Sequence, residues 1–152
     1  MASLAQKETV VTWLLARRNL IVVLLLGLLY VVSYLDRLIL TLLVDPVRAE
    51  FSVSDTAIGL LLGPAFAIFV GIFSLPIGWL ADHVNRTRLV LAAVTIWSSA
   101  TILTGFAPNF ETVAGLRIGV AIAEAALFPV AISIIADVFS PERRAAATSI
   151  FI

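Results

Sequence analysis

Apolar residues run almost unbroken at four places, near 20–44, 57–81, 89–107 and 112–139, and polar residues gather in short intervals between them. A helix needs about 20 apolar residues to cross a hydrocarbon core about 30 Å thick, so the pattern predicts four transmembrane helices. A fifth helix is expected to start near 141. The chain stops at Ile152, well short of another crossing, and the expectation is an incomplete fragment of a longer multi-pass protein. Residues 1–19 form an N-terminal segment ahead of the bundle. The predicted fold class is therefore an all-α membrane protein. Asp45-Pro46 is expected to close the first helix, because the residue before a proline is pushed out of the helical region. Ser54 is a candidate N-cap for the second, and Ser140-Pro141 sets a capping hydroxyl before a proline at the first position of the fifth. With loops this short, neighbouring helices run antiparallel and no soluble domain is inserted.

Composition supports the same class. Hydrophobic residues make up 61% of the chain and charged residues 13%, more apolar surface than a soluble fold can hide. Formal net charge is zero, which gives no basic field for nucleic acid. Cysteine is absent, excluding disulfides, thiolate metal sites, a cysteine nucleophile and lipid attachment through sulfur. There is no HExxH or GxSxG pattern, so no enzyme is expected. The single histidine, His83, has no second ligand nearby for a metal, and no cofactor is implied. Lys7, Arg17 and Arg18, then Arg86 and Arg88, then Arg143 and Arg144 fall on one side of the predicted topology. The other side has Arg48 beside Asp45, Glu50, Asp55 and Glu111. This bias places the N-terminus in the cytoplasm. The first span is too long, and too charged, for a cleaved signal peptide, and reads as a retained anchor.

Charges within the spans carry the functional reading. Asp36 and Arg37 sit side by side in the first span, where an ionised residue costs roughly 2.5–3.5 kcal/mol even on lenient scales, so such residues usually face a bundle interior or an aqueous cavity. At a rise of about 1.5 Å per residue, Asp36 lies roughly 12 Å inside Val44, while Arg117 and Glu124 lie roughly 8 and 18 Å inside Thr112. Arg117 and Glu124 are two helical turns apart and share a face. A polar stripe on the fourth helix is thus at the right depth to meet Asp36 and Arg37. The plain alternative is mutual neutralisation with no function, because buried ion pairs do not by themselves show a site. Gly59, Gly63, Ala67 and Gly71, and likewise Gly115, Gly119 and Ala123, mark expected faces of close helix packing. Pro64, Pro76 and Pro129 lie inside spans, and Pro129 is expected to free the carbonyl of Ala125 beside the polar stripe.

The interval Gly78-Trp79-Leu80-Ala81-Asp82-His83-Val84-Asn85-Arg86 resembles the cytoplasmic loop signature of the major facilitator superfamily. Ser54-Asp55-Thr56, Ile58-Gly59-Leu60-Leu61, Leu75-Pro76-Ile77-Gly78, Trp97-Ser98, Tyr34-Leu35-Asp36-Arg37 and Glu124-Ala125 look like its spinster-type branch. The resemblance runs from about Leu20 onward. It implies the N-terminal part of a twelve-helix transporter, with two six-helix halves of inverted repeats alternating access around a central cavity. It implies cavity positions for Asp36, Arg37, Arg117 and Glu124. Asp36 would bind a proton, Glu124 would be its partner or a second acid, and the arginines would hold the acids or meet an anionic group. Gly78, Asp82, Arg86 and Arg88 would belong to the gating loop. Burial favours protonation of an acid while a nearby guanidinium opposes it, so a changing Asp-to-Arg distance would couple protonation to access.

The chain departs from the signature at His83, Asn85 and Thr87, where the superfamily usually has arginine, glycine and a basic residue. Asn85 is expected to tolerate a left-handed turn, with Arg88 standing in for the shifted charge. Ala123 replaces the glycine usual in the spinster branch. The anion and cation symporter branch also has an aspartate-arginine pair on its first helix, and Glu124-Ala125-Ala126-Leu127-Phe128-Pro129 with Pro141-Glu142-Arg143 suits it. That alternative would carry organic anions. A third possibility is a structural or assembly fragment without transport. The implied partners are the lipid bilayer, a small-molecule substrate, protons or sodium, and the remaining C-terminal helices. The implied location is the plasma membrane, in a bacterium the inner membrane.

Overall fold

The structure, a computed structural model, describes the backbone of 2–152 and side chains from Arg17 onward. Lys7 and the other side chains of the expected N-terminal segment 1–19 before Arg17 lie outside the described residues. Eight α-helices follow in order: α1 Ala2–Leu42, α2 Val44–Phe51, α3 Asp55–Leu60, α4 Phe66–His83, α5 Arg86–Thr104, α6 Phe110–Glu124, α7 Leu127–Val138 and α8 Pro141–Phe151. A π-helical turn, Leu61–Ala65, joins α3 to α4. Among the described residues, four stretches are long and apolar enough to cross a membrane: Arg17–Leu42, Asp55–His83, Arg86–Thr104 and Phe110–Val138.

Several boundaries differ from the sequence pattern for identifiable reasons. The first helix stops at Leu42, and Asp45-Pro46 does not close it. Both residues lie in the first turn of α2, where a missing N–H is tolerated because the first N–H groups of a helix have no internal partner anyway. The second span is interrupted at Pro64. Proline cannot donate to the ladder, and the π turn absorbs the defect. The fourth span, expected as one helix over 112–139, is broken at Ala125-Ala126 into α6 and α7. Pro129 is the cause, since its ring and missing N–H leave the Ala125 carbonyl without its normal partner. The caps at Ser54 and Asn85 form as side-chain acceptors of the Ala57 and Arg88 amides. Asn85 itself is extended (φ −66°, ψ 110°) rather than left-handed, so it serves the turn by capping α5.

The fourth span is the centre of the bundle. In its most apolar window 56% of residues are buried, against 17–22% in the other three. α6 packs on α5 and α4, α7 on α4 and α5, and α1 on α8. Phe66, Trp97, Val120, Ala121 and Leu127 form one core cluster, and Val23, Leu26, Ala131, Ile135, Ala147 and Phe151 form a second. Close approach occurs where the glycine stripes did not place it. A Cβ at Gly27 would lie 3.4 Å from the Ile150 carbonyl oxygen of α8, whereas one at Gly59, Gly63, Gly71, Gly115 or Gly119 would meet nothing within 4 Å. The glycines singled out by spacing face open space within this chain.

Candidate functional site

α1 and α6 cross with their charges in register. Arg117 donates from an Nη to Asp36 Oδ2 at 2.5 Å, with side chains only 5% and 12% exposed. Arg37 donates from Nε (3.0 Å) and an Nη (2.7 Å) to Glu124 Oε2. Here the guanidinium is 43% exposed and the carboxylate fully enclosed. The structure thus brings the Arg117–Glu124 stripe against Asp36 and Arg37 as two separate pairs, each with one partner from each helix. Adjacent residues on α1 point about 100° apart, which is why Asp36 and Arg37 reach different partners.

Three neighbours complete the arrangement. Ser33 is one turn before Arg37, 2% exposed, with its hydroxyl 3.4 Å from the Arg37 guanidinium. Thr101 of α5 donates its hydroxyl to Asp36 Oδ1 at 3.1 Å. The Phe66 ring, delivered by the π turn, lies 5.0 Å from the Arg37 guanidinium carbon and 4.7 Å from that of Arg117, within the range for cation–π attraction. Glu124 Oε1 and Arg117 Nε are buried without a hydrogen-bond partner. Each pair therefore keeps one polar position unsatisfied, an unusual condition for buried groups.

At the opposite end of the bundle, Arg86 links two helices. It forms an ion pair with Asp137 at the end of α7 and lies 3.7 Å from Asp82 of α4. Gly78 sits beside Pro129 of α7, where a Cβ would be at ordinary contact distance, 3.6 Å. Arg88 stands apart. Its amide is capped by Asn85, its side chain is exposed, and the ion pair to Asp82 is made by Arg86. His83 packs on the Trp79 ring with its Nδ1 2.7 Å from the Trp79 carbonyl oxygen, a local interfacial contact. No cluster of three or more metal-ligating side chains occurs among the described residues.

Sequence reasoning passed over Ser33, Phe66, Thr101 and Asp137. Two of these left a signal. Ser33 lies four residues before Arg37 and hence on its face, and Asp137 is an acid at the same end of the topology as Arg86. Thr101 and Phe66 left none, since a hydroxyl or an aromatic ring in an apolar helix is ordinary there.

With that geometry in view, similarity to known proteins is informative. The family model described as Major Facilitator Superfamily matches residues 26–152. A crystal structure of a bacterial homologue of the human lysosomal transporter Spinster, inward-facing and unoccupied, superposes with a TM-score of 0.82 at 40% identity, covering 88% of this chain and 28% of that one. An MFS-type efflux pump of Mycolicibacterium smegmatis is 33% identical over 121 residues, 80% of this chain and 28% of the pump. A D-galactonate transporter of Escherichia coli is 28% identical over 135 residues, 89% of this chain and 31% of the transporter. The chain thus spans less than a third of the length of these relatives.

Proposed function

Because this chain belongs to the major facilitator superfamily, as the N-terminal part of that transporter fold with a spinster-type character, we propose that it forms part of a proton-coupled secondary transporter. The transporter moves a small organic or amphiphilic solute by alternating access. The observation that carries the reading is the Asp36–Arg117 pair, an acid and a base from different helices, enclosed within two membrane spans. Burial favours the neutral form of an acid and a nearby guanidinium favours its anion, so moving an acid away from its arginine would free it to take a proton. Glu124 supports the same chemistry, because Oε1 is a buried acceptor without a donor. Arg37 and Arg117 then carry positive charge that a protonated acid no longer offsets. Asp82, Arg86 and Asp137 serve as a cytoplasmic latch between α4 and α7, a pair of exposed contacts that break at little cost when the bundle rocks.

A second reading, symport of an organic anion with protons, is favoured by the half-exposed guanidinium of Arg37 and by the D-galactonate relative. Accumulation of an organic acid with protons supports it, whereas export of an amphiphile supports the spinster-type reading. A driving force that survives collapse of the proton gradient but follows sodium overturns proton coupling in both. The Lys/Arg bias of the topology supports a cytoplasmic N-terminus, in a plasma membrane, the inner one in a bacterium.

The test uses the full-length protein in proteoliposomes, with spin-label distances across the cytoplasmic ends of the two halves followed against pH. Asp36→Asn is expected to abolish the pH dependence. An unchanged pH profile in Asp36→Asn refutes the coupling role.

A further inference from the structure

Asp36 is held by two hydrogen-bond donors of unlike character. Arg117 approaches Oδ2, and a guanidinium can only donate. Thr101 approaches Oδ1 with a hydroxyl, which donates to an anion and, after rotating, accepts from a protonated acid. The two oxygens are therefore not equivalent. A proton on Oδ2 would be directed at an N–H group, whereas a proton on Oδ1 has an acceptor 3.1 Å away. Thr101 lies on an exposed part of α5, so its hydroxyl is free to turn. It is also far along the chain, 65 positions from Asp36, so the contact depends on the packing of α5 against α1 rather than on local sequence.

We propose that Thr101 is a positioning residue of the proton site, holding Asp36 through Oδ1 in both protonation states and making Oδ1 the oxygen that takes the proton. On proton uptake the Arg117 contact at Oδ2 loses its ionic character, while the Asp36–Thr101 bond reverses direction and persists. The acid keeps its place as its main ionic partner lets go, and is found in the same orientation when the proton leaves. The other charges at this depth are Arg117 and Glu124 on α6 and Arg37 on α1. The middle turns of α4, α5, α7 and α8 have no charged residue, and the hydroxyl bonded to Asp36 Oδ1 is that of Thr101.

This inference rests on the proton-coupling role of Asp36, and the experiment separates the two. In the full-length protein, the pH midpoint of the inter-half distance change is measured for Thr101→Val, Thr101→Ala, Thr101→Ser and Asp36→Asn. A hydrogen bond to an anion is worth more than one to a neutral acid. Removing the hydroxyl should therefore move the midpoint up by about half to one pH unit, roughly three- to tenfold in proton concentration. Thr101→Ser should restore it. If Thr101→Val fails to fold, Thr101→Ala gives the same reading without the branched methyl. A midpoint unmoved in the hydroxyl-free variants, or equally displaced in Thr101→Ser, overturns the proposal while loss of pH dependence in Asp36→Asn leaves the parent reading standing. A profile that persists in Asp36→Asn removes both.

Discussion

The Arg37–Glu124 pair is unequal, and its two halves should respond differently to mutation. Glu124 is fully enclosed and Arg37 is 43% exposed. Arg37→Ala strands a carboxylate in the interior, whereas Glu124→Gln leaves a guanidinium that can rehydrate. Stranding a buried charge costs about 3–5 kcal/mol. The carboxyl can escape that penalty by taking up a proton. From an ordinary glutamate value, neutralisation costs about 4 kcal/mol at pH 7 but only about 1 kcal/mol at pH 5. The destabilisation by Arg37→Ala should therefore shrink as pH falls, from about 3–5 kcal/mol at pH 8 to about 1 kcal/mol at pH 5. Glu124→Gln should cost about 1 kcal/mol at either pH, since an ion pair with one exposed member is screened by water. The double variant, with no unpaired buried charge at this position, should recover part of the loss at pH 8. Apparent melting temperatures of the purified full-length protein, followed by tryptophan fluorescence between pH 5 and 8 against wild type at each pH, read all three. An Arg37→Ala penalty equal at both ends, or a double variant no more stable than Arg37→Ala alone, would refute the reasoning.

Other consequences are local. Gly27→Leu drives a branched side chain toward the Ile150 and Phe151 backbone and should lower the melting temperature by the equivalent of about 1–3 kcal/mol of overpacking, while Gly119→Ala, facing open space, should be nearly neutral; similar losses in both would contradict the packing described. Glu142, in the first turn of α8 outside the four spans, has its carboxyl held below the usual range, first by its own backbone amide and then by the Ser140 hydroxyl. Its contribution is complete above the unfolded value and disappears as pH falls through the lower folded value. Amide exchange at the start of α8 should accelerate only in that acid window, and Glu142→Gln should remove the step.

Much of this architecture is legible from sequence because a bilayer imposes simple requirements. Helix existence follows from apolar run length, and the common face of Arg117 and Glu124 follows from helical periodicity, since both are properties of one segment. Helix breaks were less legible. Asp45-Pro46 looked like a terminus and is a first turn, and Pro129 looked like a bend and divides a span, because a proline's effect depends on what else can satisfy the freed backbone groups. Depth along two helices made Asp36, Arg37, Arg117 and Glu124 neighbours in principle. It did not decide which acid met which base, since that depends on rotation and crossing of α1 and α6. The same limit explains Thr101 and Phe66. Their residue types are ordinary in an apolar helix, and only the packing of α5 and the π turn before α4 brings one to Asp36 and the other within reach of two guanidinium groups. Single-segment chemistry is written along the chain, whereas partnership between segments is a property of how rigid helices lie against one another.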